Sequence, residues 1–203
     1  MYRYPEIKGP SKAPHDRCIA FEKLDGSNMR FEWNPKRSWY KFGSRSQLID
    51  KNYPILGQAI ELFREEYADI MDVTFRREKK FRNIQGATAF AEFFGPNSFA
   101  GQHVEEDPKE LVLFDLHIYK KGIMAPAEFV ENFGFLRIPK IVYQGVLNES
   151  FIRDVRAGKY PVREGVVCKG GSGHKLWMRK VKTKAYLEKL KRAFGQNWKR
   201  YGE

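Results

Sequence analysis

Alternation of apolar and polar residues dominates the chain, and this two-residue period is typical of β-strands. A first apolar run leads into Lys23 and is followed by alternating Met29, Phe31 and Trp33. The pattern predicts a strand, a tight turn and a second strand, with the lysine at the rim of a sheet. Further strands are predicted over Trp39 to Phe42, Gly86 to Phe94, Leu111 to Tyr119, Ile138 to Tyr143, Glu164 to Lys169 and Leu176 to Lys182.

Helical spacing is rarer along the chain. After Pro54, apolar residues at helical spacing predict the longest helix, and a basic run from Arg76 to Asn83 follows it as a solvated segment. Shorter helices are predicted over Pro126 to Phe133 and over Asn148 to Ala157, the latter with an Asn N-cap and Gly158 as terminator. Thr183 is suited to cap a final helix that ends at Gly195. The apolar positions of the longest helix are Ile55, Ala59, Phe63, Tyr67 and Ile70.

Strands outnumber helices, and few strand pairs have a helix between them. This order of elements predicts an α+β fold with mainly antiparallel sheets flanked by helices. The length of 203 residues and a hydrophobic content of 42% suit a single domain over residues 1–203 with a well-filled core. Residues 1–17 contain three prolines and predict an extended lead-in.

Charge narrows the class of partner. The chain has 37 basic and 25 acidic residues, a formal net charge of +12, and this excess favours a polyanion such as nucleic acid. The basic residues concentrate after Lys169, where only Glu188 and Glu203 are acidic. The alternative is a surface that is merely basic.

Cysteine and histidine usage argues against two other classes of site. The two cysteines, Cys18 and Cys168, lie in no Cys-x-x-Cys motif, so we expect neither a disulfide framework nor a thiolate zinc site. We therefore expect a reducing, cytoplasmic setting. The four histidines show no metal-ligand spacing, and we expect Cys168 to pack in a strand rather than act as a nucleophile.

The sharpest chemical candidate is Lys23, in the tetrad Lys23-Leu24-Asp25-Gly26. A lysine at a sheet rim can act as a nitrogen nucleophile if its surroundings lower its pKa from the ordinary value of about 10.4. The alternative interpretation of the tetrad is a plain hairpin with an Asp-Gly turn. Elsewhere, Glu92 is the single charge in an apolar strand, where it must be paired, bound to a ligand or exposed.

Six motifs in a fixed order resemble the covalent nucleotidyltransferase superfamily, which comprises ATP-dependent DNA ligases, RNA ligases and mRNA capping enzymes. The RNA ligase branch and its phage relatives are most similar, through Ser27-Asn28 after the tetrad, Gly95-Pro96, and the run from Lys182 to Glu188. The motifs are Lys23-Leu24-Asp25-Gly26, Ser44-Arg45, Phe90 to Gly95, Leu113-Phe114-Asp115, Glu164 to Lys169, and Lys180-Val181-Lys182.

The resemblance implies a ligase-type adenylyltransferase domain and a role for each matching residue. Lys23 would attack the α-phosphorus of ATP and form lysyl-AMP, while Lys180 and Lys182 would lower its pKa and neutralise charge on the phosphate. Glu164 would help position a Mg²⁺ ion, with Mn²⁺ as a substitute. The other nucleotide-binding candidates are Glu22, Asp25, Arg45, Glu92, Phe114 and Lys169.

The resemblance also assigns more specific contacts. Glu92 would accept hydrogen bonds from the ribose hydroxyls, and Arg45 would hold the ribose or a phosphate. Phe114 would stack on the adenine, although an aromatic residue in an apolar strand can equally be core. Lys169 could reach a phosphate or be an ordinary strand-end lysine, and Asp25 could contact substrate or simply form the turn. Lys180 and Lys182 could instead be solvated charges on an edge strand.

The implied reaction transfers AMP from Lys23 to a 5′-phosphate end of a nucleic acid, RNA by preference, and joins that end to a 3′-hydroxyl. Only about twenty residues follow Lys182, so we expect no appended OB-fold or other C-terminal domain. The final helix, with its basic residues, could supply part of the substrate grip. The alternatives are a minimal ATP-dependent DNA ligase, a capping guanylyltransferase, and a nucleic-acid-binding protein that keeps the fold without catalysis.

Overall fold

The computed structural model describes residues 1–202, which form ten strands and five α-helices. A π-helical segment, Arg64–Ala68, joins α1 to α2, and three short 3₁₀ segments lie at Lys79–Phe81, Gly173–Lys175 and Gly195–Arg200. The helices are α1 (Gln58–Phe63), α2 (Asp69–Arg77), α3 (Pro126–Phe133), α4 (Glu149–Arg156) and α5 (Lys184–Phe194). The strands are β1 (Arg17–Lys23), β2 (Ser27–Asn34), β3 (Ser38–Ser44), β4 (Leu48–Ile49), β5 (Ala87–Phe94), β6 (Glu110–Ile118), β7 (Gly122–Ile123), β8 (Ile141–Val146), β9 (Gly165–Gly170) and β10 (Trp177–Lys182).

These elements divide into two compact units, each built on one sheet. The six-stranded unit comprises Met1–Tyr4, Asp25–Met124 and Phe133–Ile138, and its strand order is β4-β3-β2-β5-β6-β7. The four-stranded unit begins with Pro5–Leu24 and includes Ala125–Asn132 and the chain from Pro139, and its order is β10-β9-β1-β8. All strand pairs in both sheets are antiparallel. The predicted α+β class with mainly antiparallel sheets is therefore confirmed.

The core of the six-stranded unit forms where one face of the sheet meets the longest helical stretch. The ring of Phe31 on β2 stacks on that of Phe63 at a centroid distance of 3.9 Å, and Trp33 packs edge-on against Phe75. The alternation predicted for β2 is confirmed, since Met29, Phe31 and Trp33 are all buried. Burial of aromatic side chains of this size contributes on the order of 2–3 kcal/mol each.

The π-helical segment corrects one expectation for this stretch. Ala59, Phe63 and Tyr67 are buried as predicted, but Ile70 is 45% exposed and Met71 takes the buried position. A π-helical turn contains more residues than an α-helical turn, so it rotates the following helix relative to the 3.6-residue pattern. The buried face therefore continues at Met71 and Phe75 instead of Ile70.

The core of the four-stranded unit lies between its sheet and α4. The Oδ1 atom of Asn148 accepts a hydrogen bond from the backbone N–H of Phe151, which confirms the predicted N-cap of α4. Phe151 and Val155 then pack on the sheet residues of one face: Cys18, Ala20, Val166, Cys168 and Val181. Both cysteines are free thiols, and the contact with Cys18 together with burial raises the pKa of Cys168, which suits packing rather than nucleophilic attack.

The tetrad around Lys23 does not close a hairpin, so that part of the sequence interpretation is wrong. The strand before the tetrad, β1, pairs with β8 and β9, whereas the strand after it, β2, pairs with β3 and β5. The chain thus leaves one sheet at Lys23 and enters the other at Ser27. Short sequence patterns report a turn, but they do not report which strand pairs with which. The single domain expected over residues 1–203 stays a prediction.

The remaining element predictions agree with the structure to within a few residues. Thr183 caps α5 through a hydrogen bond from the backbone N–H of Tyr186, and Gly195 ends the helix with a φ of 51°. In the basic run after α2, the charged residues are exposed and Phe81 alone among its apolar side chains is buried. Within residues 1–202, no helix is long and apolar enough to cross a membrane.

Candidate active site

Three of the predicted catalytic residues meet in the four-stranded unit, and we call Lys23, Glu164 and Lys182 the lysine–glutamate cluster. The Nζ atoms of Lys23 and Lys182 lie 2.9 Å and 2.7 Å from the same carboxylate oxygen, Oε1 of Glu164. Glu164 and Lys182 are buried, whereas the side chain of Lys23 is 24% exposed. Lys23 is thus the member of the cluster that a ligand can reach most easily.

Strand register explains why these residues converge. Gly165 on β9 is paired with Lys23 on β1 to one side and with Lys182 on β10 to the other. Glu164, the preceding residue, is therefore flanked by both lysines. The position requires glycine, because a Cβ at 165 would lie 2.0 Å from the carbonyl oxygen of Val181 and because its φ is +153°.

The pleat also places the lysines on a common face. Residues that pack on α4, such as Ala20, Cys168 and Val181, occupy one face of the sheet. Their alternating neighbours point to the other face. The residues on that other face include four lysines, Lys23, Lys169, Lys180 and Lys182. The shared face predicted for Lys180 and Lys182 is thus confirmed.

Charge in the cluster is unbalanced. Two ammonium groups share one carboxylate, and Lys180 adds a third positive charge nearby. Burial lowers the pKa of Lys180, and the charges of Lys182 and Lys23 lower it further, against the opposite effect of Glu164 and Glu6. An excess of buried positive charge is the environment in which a polyphosphate would be stabilised.

Glu164 also has the features of a ligand for a divalent cation. Its second oxygen, Oε2, is buried and has no hydrogen-bond partner among residues 1–202. No three acidic, histidine or cysteine side chains in that range form a metal cage. Mg²⁺, however, is usually bound by one or two carboxylates together with substrate phosphates and water. A hard cation therefore fits Glu164 in combination with a phosphate ligand.

Lys182 is held on more than one side. Besides the contact with Glu164, its Nζ donates a hydrogen bond to the carbonyl oxygen of Tyr201 at 2.6 Å and lies 4.8 Å from the ring centroid of Tyr186. Lys169, by contrast, lies over the ring of Phe21 at 5.3 Å and is buried. Whether Lys169 contacts a phosphate stays a prediction.

Four of the other sequence candidates, Asp25, Arg45, Glu92 and Phe114, lie in the six-stranded unit, where Glu92 has a structural contact. Its Oε1 atom accepts a hydrogen bond from the backbone N–H of Gly26 at 3.1 Å. Gly26 also approaches β5 closely, since an added Cβ would lie 2.2 Å from the carbonyl oxygen of Phe93. The half-buried Glu92 is thus partly paired with the turn that follows the lysine.

Asp25 holds the long loop that follows β5. Its Oδ1 atom accepts a hydrogen bond from the backbone N–H of Ala100 at 2.7 Å. Ser27 adds a second tie to this loop, because its Oγ lies 2.8 Å from Nε2 of His103, whose Nδ1 lies 3.2 Å from Oγ of Ser98. Asp25 therefore has more than a turn-forming role, and His103 helps to hold this loop.

Phe114 lies at an irregularity in β6. Phe90 pairs with Asp115 and Ala91 pairs with Leu113, so Phe114 is the extra residue of a β-bulge. Bulges change the direction of a side chain relative to regular alternation. Phe114 is half-buried, unlike its neighbours Leu113 and Asp115, and its ring contacts those of Tyr4 and Phe90. Its adenine-stacking role stays a prediction.

Tyr4 is a residue that the sequence interpretation missed. It lies in the predicted lead-in, yet its hydroxyl donates a hydrogen bond to Oδ2 of Asp115 at 2.7 Å and its ring packs edge-on against Phe114 at 5.0 Å. Burial raises the pKa of Tyr4, and the charge of Asp115 raises it further. Only the tertiary structure could connect residue 4 with residue 115.

Arg45 and Glu22 are the two remaining candidates, one in each unit. Arg45 is exposed directly after β3. Glu22 alternates with Lys23 and so points to the α4 side of the sheet, while its backbone N–H donates to the carbonyl of Lys140. The nucleotide-binding roles of both residues stay predictions.

A strand-rim lysine paired with a buried glutamate and a second lysine, on an antiparallel α+β fold, agrees with the resemblance of the sequence to the covalent nucleotidyltransferase superfamily. A family model described as RNA ligase matches residues 16–189. The chain therefore belongs to the RNA ligase family.

Solved structures of RNA ligases have a similar fold. One is a Naegleria gruberi RNA ligase variant without ligand, 19% identical, with a TM-score of 0.66 over 93% of this chain. Another is a variant of that enzyme solved with ATP and Mn, at 18% identity and a TM-score of 0.67, and a third was solved with PPi at the same values. The chain covers 58% of each of these longer chains. A comparison with curated protein sequences finds no match.

Proposed function

We propose that the chain is an ATP-dependent RNA ligase that forms a lysyl-AMP intermediate on Lys23. The observation that carries this proposal is the lysine–glutamate cluster, in which a partly exposed lysine shares a buried carboxylate oxygen with a second lysine. Membership of the RNA ligase family supports it. So do the Naegleria gruberi structures, which were solved with ATP, AMP and Mn.

The first step would form a bond between Nζ of Lys23 and the α-phosphorus of ATP and break the bond to the leaving pyrophosphate. Before this attack, Nζ must lose a proton. The contact with Glu164 orients the amine of Lys23. Because the positive charge of Lys182 lies at the same carboxylate oxygen, Glu164 stabilises the protonated form of Lys23 less than it would alone. Lys180 and Lys182 would also neutralise charge that develops on the phosphate.

A divalent cation, Mg²⁺ or Mn²⁺, would neutralise phosphate charge when bound, and Oε2 of Glu164 is suited to contact it. By the family resemblance, Glu92 and Phe114 would contact the ribose and the adenine, and Arg45 a phosphate. AMP would then pass from Lys23 to a 5′-phosphate end of RNA: the P–N bond to Nζ breaks, a P–O–P bond forms, and the lysine amine is released. A 3′-hydroxyl would displace AMP and join the strands.

The decisive experiment is the intact mass of the protein after incubation with ATP and Mg²⁺. We expect a gain of one AMP, which is lost in Lys23→Ala because the nucleophile is absent. Lys140→Ala is the matched control, because Lys140 is an exposed lysine of the same unit outside the cluster. A gain of GMP from GTP would instead favour a capping enzyme. Absence of any adduct, in folded protein cleared of bound AMP, would contradict the proposal.

The metal assignment has its own test. Glu164→Gln keeps the shape of the side chain but removes its charge, so we expect adduct formation to need roughly 10- to 100-fold more Mg²⁺. An unchanged Mg²⁺ dependence would contradict the role of Glu164.

The substrate is tested by joining nicked duplexes whose 3′-hydroxyl strand is RNA or DNA. Equal joining of both would favour the DNA ligase alternative.

A further inference from the structure

The segment after the lysine–glutamate cluster has one buried and one charged side. Tyr186 and Leu190 of α5 are buried, whereas the opposite side of the helix is exposed. From residue 184 to residue 200 the chain has six basic residues and a single acidic residue, Glu188. We call the six exposed basic residues the C-terminal basic surface: Lys184, Lys189, Lys191, Arg192, Lys199 and Arg200.

The helix spreads four of these charges over its exposed side: Lys184, Lys189, Lys191 and Arg192. Lys184 and Arg192 are eight residues apart, which corresponds to about 12 Å along a helix axis. A helical segment of this length can contact several successive phosphates of one nucleic-acid strand. Glu188 is itself paired with Lys191, at 2.7 Å, so the acidic residue reduces the net positive charge only locally.

Aromatic contacts fix the rest of the surface against α5. The ring of Tyr201 stacks on that of Phe194 at 4.2 Å, and Nζ of Lys191 lies 5.2 Å from the ring centroid of Trp198. The carbonyl oxygen of Tyr201 in turn accepts the hydrogen bond from Lys182. The C-terminal basic surface therefore adjoins the lysine–glutamate cluster in two ways. Lys184 follows Lys182 closely along the chain, and Tyr201 contacts Lys182 directly.

We propose that the C-terminal basic surface binds the phosphodiester backbone of the RNA substrate next to the reacting lysine. This inference rests on the proposed function and adds the location of the substrate grip. Charge complementarity favours a nucleic-acid backbone over a membrane, because a helix that lies on a membrane must expose its apolar side. In α5 that side is already buried within the unit by Tyr186 and Leu190.

The test is a triple variant, Lys184→Gln, Lys189→Gln and Arg192→Gln, which uses a good helix former at exposed positions. We measure binding of a labelled, nicked RNA duplex with a 5′-phosphate over a range of salt concentrations, without ATP. We expect affinity to fall at least about tenfold near physiological salt and the slope of log affinity against log salt to decrease by about 2 to 3. Circular dichroism establishes that the variant is folded.

Two further variants make the result specific. Arg77→Gln, Lys79→Gln and Arg82→Gln remove the same charge from the exposed basic run of the six-stranded unit, and we expect them to change affinity less than about twofold. Lys184→Arg, Lys189→Arg and Arg192→Lys keep the charge and should bind as the unaltered chain does.

Equal losses in both neutralised variants, or no loss in the α5 variant, would overturn the inference. Binding to phosphatidylserine vesicles that depends on the α5 residues, without an effect on RNA, would overturn it in favour of a membrane. Adduct formation with ATP is measured on the unaltered chain without RNA. Failure of the proposed function and failure of this surface are therefore seen in different experiments.

Discussion

At the scale of single residues, Glu164 sets the charge around the candidate nucleophile. One of its oxygens contacts both Lys23 and Lys182, and the other is buried without a partner among residues 1–202. Breaking a buried ion pair by removing one partner commonly costs about 3–5 kcal/mol. The carboxylate of Glu164 is therefore important both for the stability of the fold and for the proposed reaction. Lys180 adds a further positive charge, which is repelled by Lys182 and Lys23.

Lys180 provides a prediction about pH. Its pKa is lowered by burial and by its lysine neighbours, so its protonated form is less favourable in the folded than in the unfolded chain. Stability should therefore rise as pH increases from the lowered value toward the ordinary value of 10.5. We expect Lys180→Met to unfold at higher urea than the unaltered chain at pH 7, with a smaller difference near pH 10.

The matched control for Lys180→Met is Lys140→Met at an exposed position, which should leave the urea midpoint unchanged. A Lys180→Met chain that is less stable than the unaltered one at pH 7 would contradict the prediction. So would a difference that does not narrow at high pH.

Tyr4 provides a second prediction at this scale. Tyr4→Phe keeps the ring against Phe114 but removes the hydroxyl that donates to the buried Asp115. A buried acceptor that loses its donor costs about 1–3 kcal/mol. We expect the free energy of unfolding, measured with urea, to fall by that amount, and the KM for ATP in adduct formation to rise. Tyr2→Phe, whose ring stacks on His117, should change neither quantity; equal effects of the two variants would contradict a specific role for Tyr4.

At the scale of elements, the strand β9 brings the cluster together by its position between β1 and β10. Gly165→Ala would place a methyl group against the Val181 carbonyl and force a shift between β9 and β10. We expect the free energy of unfolding to fall by more than about 2 kcal/mol and the rate of adduct formation to fall at least tenfold. Gly86→Ala, whose nearest atom would be at 3.3 Å and which lies in the other unit, should cost less and leave adduct formation intact. Full activity in Gly165→Ala would show that this register is not needed.

The elements also differ in how well the sequence predicted them. The caps of α4 and α5 follow from side chains within three residues, so Asn148 and Thr183 were identified correctly. The predicted burial of Ile70 was wrong, because the π-helical segment that rotates the following helix depends on packing along the whole helix. The interpretation of the tetrad as a hairpin was wrong, because β1 and β2 each pair with strands that are far away in the sequence.

At the scale of the whole molecule, the net charge of +12 should separate the steps of the reaction by their response to salt. In the proposed function, strand joining would depend on contacts with many phosphates, whereas adduct formation would depend on the lysine–glutamate cluster alone. Between about 50 and 200 mM salt, we expect joining to fall by at least about tenfold more than adduct formation. Joining and adduct mass are measured on the same samples; parallel losses in both would contradict this separation.

The sequence by itself determined the order of the strands and helices, the caps, the basic C-terminal region and the identity of the chemical groups, because these follow from local periodicity, side-chain type and motif order. Tertiary structure alone decided that Lys23 and Lys182 share one oxygen of Glu164, that Phe114 lies in a bulge, and that Tyr4 reaches Asp115. Each of these features depends on strand register or on contacts between distant parts of the chain. Local sequence preference does not specify such contacts, because they arise only when the sheets and their cores form.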